Sequence, residues 1–370
     1  MSSLDIKIIT CHDVYNFGAS LQVYALQTYL ERLGHLVQIV DYKPHYQPPR
    51  HQKLFVMEKG NNCLMNFAKM LYRLPQRIRH LERNRMFRQF TASRLHLTPE
   101  CYDKPKLMSS HLDADVFIAG SDQIWNSMFL AGRDSIFYLD FVKSKARKVA
   151  YAPSISVNQI EPRWESIYQK YLPTFDFVSV REKSSLPFLK KMGRGDAEVV
   201  CDPVLLFNQQ EWDTLIPCRS LVKVPYLLVY DFDGNKQISS IARAISKAEG
   251  LRIINISIDT LGGLGTKLRG IGPEEFLSLV RGASFIVSSS YHATVFSLLY
   301  HKRFCVVRRQ LGINLRLEDL VDDYGMRHRI VSEFTPSLLE SIDDEQVDKK
   351  MQSLTKSSKD YLNRALDFES

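Results

Sequence analysis

Four short stretches of the 370-residue chain place polar or ionisable side chains where an apolar run ends. In "SFIVSSSYHATVFSLLYH", His292 follows a strand-like run and opens a helical one, with Ser290 and Tyr291 just before it. A histidine can take or give a proton near neutral pH, and the free amides of a helix start favour an anion beside it. In "SVREKSS", Arg181 stands at another strand end. Its guanidinium fork suits a carboxylate or phosphate, and it suits equally an ion pair with Glu182 or Asp202.

The other two stretches point to a sugar. "AGSDQIWN" carries Ser121 and Asp122 after Gly120, then Gln123, Trp125 and Asn126. Asp122 either orients a hydroxyl or takes its proton, or Ser121 or Asp122 merely caps a helix. The amides beside an indole face form a set suited to carbohydrate. "YNFGAS" adds Asn16 and Gly18 at a strand-to-helix turn, where glycine lets the backbone approach a ligand and free N–H groups favour anions. It is neither a GxGxxG fingerprint nor a lysine-bearing phosphate loop, so no nucleotide site follows from it.

Strand–turn–helix alternation must position these residues. "IKIIT" reads as a strand, and "GASLQVYALQTYLERLG" as a helix with the stripe Val23, Leu26, Leu30 and Leu33, stopped by Gly34. "HLVQIVDY", "ADVFIAG", "KVAYAPSI", "DFVSVRE" and "AEVVCDP" continue the strands. The alternation lapses between Asn208 and Pro225, then resumes through "YLLVYDF", "LRIINIS", "SFIVSSS" and "FCVVRR". Such a pattern predicts an α/β fold with parallel sheets. The pattern divides the chain into a first Rossmann-like domain over 1–207, a second over 225–343 and a helical tail over 344–370. Ligands of such sheets collect at the carboxyl ends of the strands. Asn16, Gly18, Ser121, Asp122, Arg181, Asp202, Ser290 and His292 all fall at such ends, which predicts an active site in the cleft between the domains.

Composition excludes several classes. Hydrophobic residues make up 45% and charged residues 24%, ordinary for a soluble globular chain. No apolar run approaches the roughly 18–20 residues of a membrane span, and "MSSLDIKIIT" reads as a strand, which predicts a cytoplasmic protein. The six cysteines include no CxxC pair and are expected to be reduced, without a zinc site or any other metal or cofactor. Much of the net charge of +8 lies in the stretch Lys69 to Arg94, with Lys69, Arg73, Arg77, Arg79, Arg83, Arg85, Arg88 and Arg94. That stretch is either a solvated helix face or a peripheral contact with an anionic membrane. No stacking pattern accompanies it, so nucleic acid is not an expected partner.

The blocks "YNFGASLQVYALQTYLERLGH", "GSDQIWN", "SVREKSSLPFLKKMG", "CDPVLLF", "IGPEEFLSLVRGASFIVSSSYHATVFSLLYHKRF" and "NLRLEDL" resemble, in order, those of the polysaccharide pyruvyl transferases. The resemblance implies a GT-B-like pair of domains. It implies transfer of pyruvate from phosphoenolpyruvate to two hydroxyls of one sugar, in a surface polysaccharide or its polyprenyl-diphosphate-linked precursor. It places the family's histidine on His292 and its donor-binding arginine on Arg181. Tyr291 and Ala293 replace the phenylalanine and glycine of the family's S-F-H-G block. Ser290 stands where some relatives carry an arginine, so Arg308, Arg309 or Arg316 must supply that cation. On this reading His292 and Asp122 are catalytic, and Arg181, Ser290, Tyr291 and Arg316 bind the donor. Asn16, Gly18, Ser121, Gln123, Trp125 and Asn126 bind the acceptor. The competing readings are a nucleotide-sugar glycosyltransferase of the same architecture and a non-catalytic carbohydrate-binding protein.

Overall fold

In the computed structural model, which describes residues 2–46, 80–156, 160–257, 263–309 and 314–368, the predicted strands form two parallel sheets. The first holds β1 (Asp5–Ile9), β2 (Leu36–Tyr42), β3 (Leu97–Tyr102), β4 (Val116–Ala119), β5 (Arg147–Ala150), β6 (Phe177–Val180) and β7 (Glu198–Val199), in the order 3-2-1-4-5-6-7. The second holds β8 (Tyr226–Tyr230), β9 (Arg252–Asn255), β10 (Thr266–Lys267), β11 (Phe285–Ser288) and β12 (Arg303–Val306), in the order 10-9-8-11-12. Both orders reverse beside the sheet's first strand, at β1/β4 and β8/β11. Such a reversal opens a crevice above the carboxyl ends of those two strands. The segments that leave β4 and β11 are the ones that carry Asp122 and His292.

The helices are α1 (Phe17–Arg32), α2 (described over 80–94), α3 (Lys104–Ser109), α4 (Pro162–Tyr171), α5 (Leu186–Lys191), α6 (Gln209–Leu215), α7 (Lys236–Glu249), α8 (Pro273–Gly282), α9 (Tyr291–Leu299), α10 (Leu315–Asp323) and α11 (Asp344–Leu366). Helix α1 is buried on almost every side because it lies between the two sheets. Phe17 stacks on Phe276 of α8 at 4.9 Å, and Tyr24 meets Trp212 of α6 at 6.3 Å. Its polar residues are internally bonded: Gln22 donates to Thr10 Oγ1, and Gln27 donates to the Arg94 carbonyl. Of the expected stripe, Val23, Leu26 and Leu30 are in the core, while Leu33 lies beyond the helix end and is exposed. The lapse after Asn208 contains α6, opened by a capping box between Asn208 and Glu211.

Two expectations change. The basic stretch is not one uniform face. Arg83 is buried, donates to the Tyr15 carbonyl at 2.9 Å and lies over the Phe17 and Phe87 rings. Arg94 pairs with Glu274, so only Arg85 and Arg88 of the described basic residues there face solvent; Lys69, Arg73, Arg77 and Arg79 fall outside the described residues. The C-terminal helix is not an appendage either. Tyr361 of α11 donates to the Ala150 carbonyl at the end of β5, Ser358 accepts from Cys201 N–H, and Arg147 donates to the Ala365 carbonyl. The chain therefore returns to the first sheet after building the second. Among the described residues no helix is long and apolar enough to cross a membrane.

This docking predicts a stability effect. Tyr361→Ala removes a ring that is 1% exposed and is expected to cost roughly 3–5 kcal/mol, as large-to-small core substitutions of aromatics do. The exposed neighbour Lys356→Ala should stay within about 0.5 kcal/mol of wild type. Urea midpoints of the two variants check this; equal midpoints would mean that α11 is not part of the cooperative core.

Candidate active site

The three serines of "SSSYH" are turn chemistry. Ser288 Oγ donates to the Tyr230 carbonyl, Ser289 Oγ donates to Asp231 at 2.7 Å, and Ser290 Oγ accepts from Ala293 N–H as the cap of α9. Together they tie the end of β11 to the end of β8 and set the start of α9. His292, in the first turn, is thereby aimed across the cleft. Its ring lies against Gly18, where a β-carbon would stand 2.0 Å from Cγ of the imidazole. Gly18 therefore serves close packing of α1 on His292, and Asn16 accepts from Gly18 N–H and Ala19 N–H to start that helix.

The first sheet supplies three charged residues from three strand ends. Asp202 follows β7, and its Oδ1 accepts from Val204 N–H. Its Oδ2 accepts from Arg181 Nη1 and stands 3.3 Å from His292 Nε2. Arg181, at the end of β6, resolves the two options open in the sequence: it pairs with Asp202. Glu182 turns the other way, accepting from Ser154 Oγ and the Ile155 and Ser156 amides. Asp122, after β4, has the left-handed φ of 76°. Such a conformation in a non-glycine residue costs on the order of 1–3 kcal/mol and gathers at functional sites. Its side chain caps nothing. One oxygen accepts from Arg316 Nη1 at 3.3 Å and lies 3.6 Å from Arg181 Nη2.

The second half closes this cluster. Arg316 of α10 and Arg181 both lie over the Tyr291 ring, at 5.3 and 4.2 Å from its centroid. Gln123 sits between Arg316, at 3.0 Å, and Asn126, at 2.8 Å. Burial alone would raise both carboxyls. His292 and Arg181 outweigh it at Asp202, held well below the usual carboxylate range, and Arg316 and Arg181 do so at Asp122. Burial and the neighbouring Arg181 lower Arg316. Nε and Nη2 of Arg181 are buried without a hydrogen-bond acceptor, as is Nε2 of His292. Arg181, Asp202, Tyr291 and Arg316 also line a small cavity of about 20 Å³.

The structure thus brings together Gly18, Asp122, Gln123, Arg181, Tyr291, His292 and Arg316, and gives Asp202, expected at the cleft as a strand-end acid and a possible partner of Arg181, a place between Arg181 and His292. The signal for it was available in "VVCDPV", an acid directly after a strand. Four expected acceptor residues are corrected. Trp125 is fully buried, stacked on Tyr138 at 5.5 Å with its indole N–H given to the Phe137 carbonyl, so it has no face for a sugar. Asn126 is buried and holds the Met128 amide. Ser121 donates to the Ala152 carbonyl and Asn16 caps α1. Ser290, expected at the donor, caps α9. Arg308 and Arg309 pair with Glu318 and Asp233, leaving Arg316 as the arginine in the cleft.

Paired Rossmann-like halves meeting over such a cleft define the GT-B class of fold, and solved structures share it. A protein assigned as a UDP-N-acetylglucosamine 2-epimerase from Listeria monocytogenes superposes with a TM-score of 0.51 at 9% identity, covering 99% of this chain and 91% of its own. Arabidopsis thaliana UGT89C1 does so with a TM-score of 0.50 at 12% identity, covering 98% of each chain. At these identities the likeness concerns the fold alone. The sequence profile of the polysaccharide pyruvyl transferases matches residues 16–310, and the chain belongs to that family. A search of curated proteins gave no match.

The geometry generates two predictions. Gly18→Ala should destabilise the protein by roughly 1–3 kcal/mol, because the added methyl overlaps the His292 ring. Gly195→Ala, whose new β-carbon would meet nothing nearer than 3.8 Å, should be near neutral in the same melting experiment. Asp202→Asn leaves Arg181 buried without its partner and should cost about 3–5 kcal/mol. Because the folded-state pKa of Asp202 is depressed, its contribution is present in full above the unfolded carboxyl value of about 3.9 and is lost as pH falls through the folded value. The stability gap between wild type and Asp202→Asn should be flat from about pH 5 to 8 and shrink below about pH 4. A gap that instead widens in acid would show that Asp202 is not ionised in the fold.

Proposed function

We propose that this protein transfers pyruvate from phosphoenolpyruvate to two hydroxyls of one sugar, in a surface polysaccharide or its lipid-linked precursor, making a cyclic ketal and releasing phosphate. The carrying observation is Arg181, a buried guanidinium with two nitrogens lacking hydrogen-bond acceptors, beside His292 and Arg316 in the cleft. Buried donors of this kind are matched by an anionic ligand.

Each step has a candidate residue. Arg181 and Arg316 hold the carboxylate and phosphate of the donor. His292 gives a proton to the methylene carbon, which becomes a methyl group and leaves an oxocarbenium-like centre at the adjoining carbon. One sugar hydroxyl adds there and loses its proton to Asp122. The carbon–oxygen bond to phosphate then breaks, the phosphate taking the electron pair, and the second hydroxyl adds and loses its proton to close the ring. Asp202 acts through its neighbours, orienting His292 and neutralising Arg181. Asp202 and Asp122 already lie against these arginines, so the donor must displace carboxylate contacts to enter. The Arg316–Asp122 contact at 3.3 Å is among those that must yield to the incoming anion.

The test is incubation with phosphoenolpyruvate and a panel of oligosaccharides. The expected result is phosphate release matched by products heavier by one pyruvate less one water. His292→Ala should lower the rate about 10²–10⁴-fold, the usual contribution of a general acid or base, in a variant that still folds by circular dichroism although loss of the buried ring lowers its melting temperature. Consumption of nucleotide sugars in place of phosphoenolpyruvate would overturn the proposal in favour of a glycosyltransferase.

A further inference from the structure

A recess opens beside the cleft, above the carboxyl ends of β1 and β2. His12, Asp13 and Tyr15 come into it from β1, Lys43 follows β2, and Phe87, Arg88 and Thr91 of α2 help to line a cavity of about 370 Å³. That volume lies in the range of roughly 300–1,000 Å³ usual for small-molecule sites. Strand β1 pairs with β2 on one side and with β4 on the other, so two strand spacings, about 10 Å, separate the end of β2 from the strand end that carries Asp122. The segment that walls the recess with Tyr15 continues into Gly18, which packs on the His292 ring.

Its walls are fixed by the fold. His12 is 2% exposed, and its Nε2 lies 2.9 Å from Asp41 Oδ1. The Asp41 N–H donates to Thr98 Oγ1, and Lys43 Nζ stands 3.6 Å from the same carboxylate. Phe87 is buried and stacks on Phe17 at 5.3 Å, and Tyr15 meets it edge-on at 5.7 Å with its carbonyl held by Arg83. Walls set in this way lose little further freedom on binding. Asp13 and Arg88 are exposed at the rim. The lining is chemically mixed: two aromatic rings, a carboxylate that only accepts, a lysine and an arginine that only donate, and a threonine that does both. A pyranose has the matching surfaces, with C–H groups on its faces and hydroxyls that donate and accept around its edge. A purely anionic ligand would meet Asp13, and Asp41 behind Lys43, whereas a sugar can use both signs of charge.

We propose that this recess binds a sugar unit of the acceptor glycan, next to the unit that is modified beside Asp122. Calling that sugar part of an acceptor rests on the pyruvyl-transfer reading; its binding here does not. The test is a saturation-transfer NMR titration of the full chain with the methyl glycosides of glucose, galactose, mannose and N-acetylglucosamine. It compares wild type, the double variant Asp13→Ala/Arg88→Ala and the cleft variant Arg316→Gln, each checked by its melting curve. At least one glycoside should bind wild type and Arg316→Gln alike. The double variant, whose two positions are exposed and should leave the fold intact, should bind it about tenfold more weakly, the effect of losing a hydrogen bond to a charged group. Wild type that binds none of the four, a double variant that binds as wild type does, or an equal loss in Arg316→Gln would each overturn the proposal. Turnover separates the recess from the reaction. Ketal formation by the double variant with an unchanged acceptor KM would remove the recess and keep the reaction. Glycoside binding lost only in the double variant, without phosphate release from phosphoenolpyruvate by wild type, would keep the recess and remove the reaction.

Discussion

One buried carboxylate holds the two halves of the site together. Asp202 receives Arg181 from its own half and faces His292 from the other. Each of these groups is almost fully buried. Taking any one of them out of water alone would be prohibitive, and together they are tolerated because each charge has an opposite neighbour. The turn after β7 fixes the carboxylate through Val204 N–H, so the first half determines where the partners must come. The serine-bonded turn after β11 brings His292 there. The cleft is closed by this electrostatic match at one point and by the ring stack of Phe17 on Phe276 at another.

The alternation of strands and helices was legible because fully buried parallel strands are nearly continuous apolar runs, and those of "VFIA", "YLLVY" and "FIVS" stand out against polar turns. The carboxyl-end rule then identified Asp122, Arg181 and His292. It could not distinguish side chains that face the cleft from side chains that serve the turn. Ser121, Asn16 and Ser290 are at the right strand ends, yet each has its hydroxyl or amide spent on local backbone. Trp125 failed for a different reason. A tryptophan after a strand end looks like a stacking platform, but the partners that bury it, Tyr138 and Phe175, come from later segments and are invisible at the motif. The role of Asp202 also depended on a partner in the other half, nearly ninety residues on.

Helix α1 shows how one element serves both assembly and chemistry. A helix that must bury both faces cannot be amphipathic in the usual way, and the amide N–H groups of its buried Gln22 and Gln27 are given to Thr10 Oγ1 and the Arg94 carbonyl. Its first turn carries Phe17 and Gly18 in succession. The phenylalanine packs on α2 and α8, while the glycine admits the imidazole. Movement of α1 relative to the second half would therefore change the surroundings of His292 and of Arg83 together. This couples the surroundings of the two groups mechanically, through a helix start with no spare room.

The charges of the central cluster balance one another. Arg181 and Arg316 are matched by Asp122 and Asp202, so with neutral His292 the cluster carries no net charge. In the proposed reaction a donor bearing both carboxylate and phosphate enters with at least two negative charges and competes with Asp122 for the same arginines. Protonation of His292 offsets one of those charges and is also what the first chemical step needs, since the proton moves to the substrate carbon. After that transfer the cluster has lost its positive charge just as phosphate prepares to leave, which favours departure of the anion.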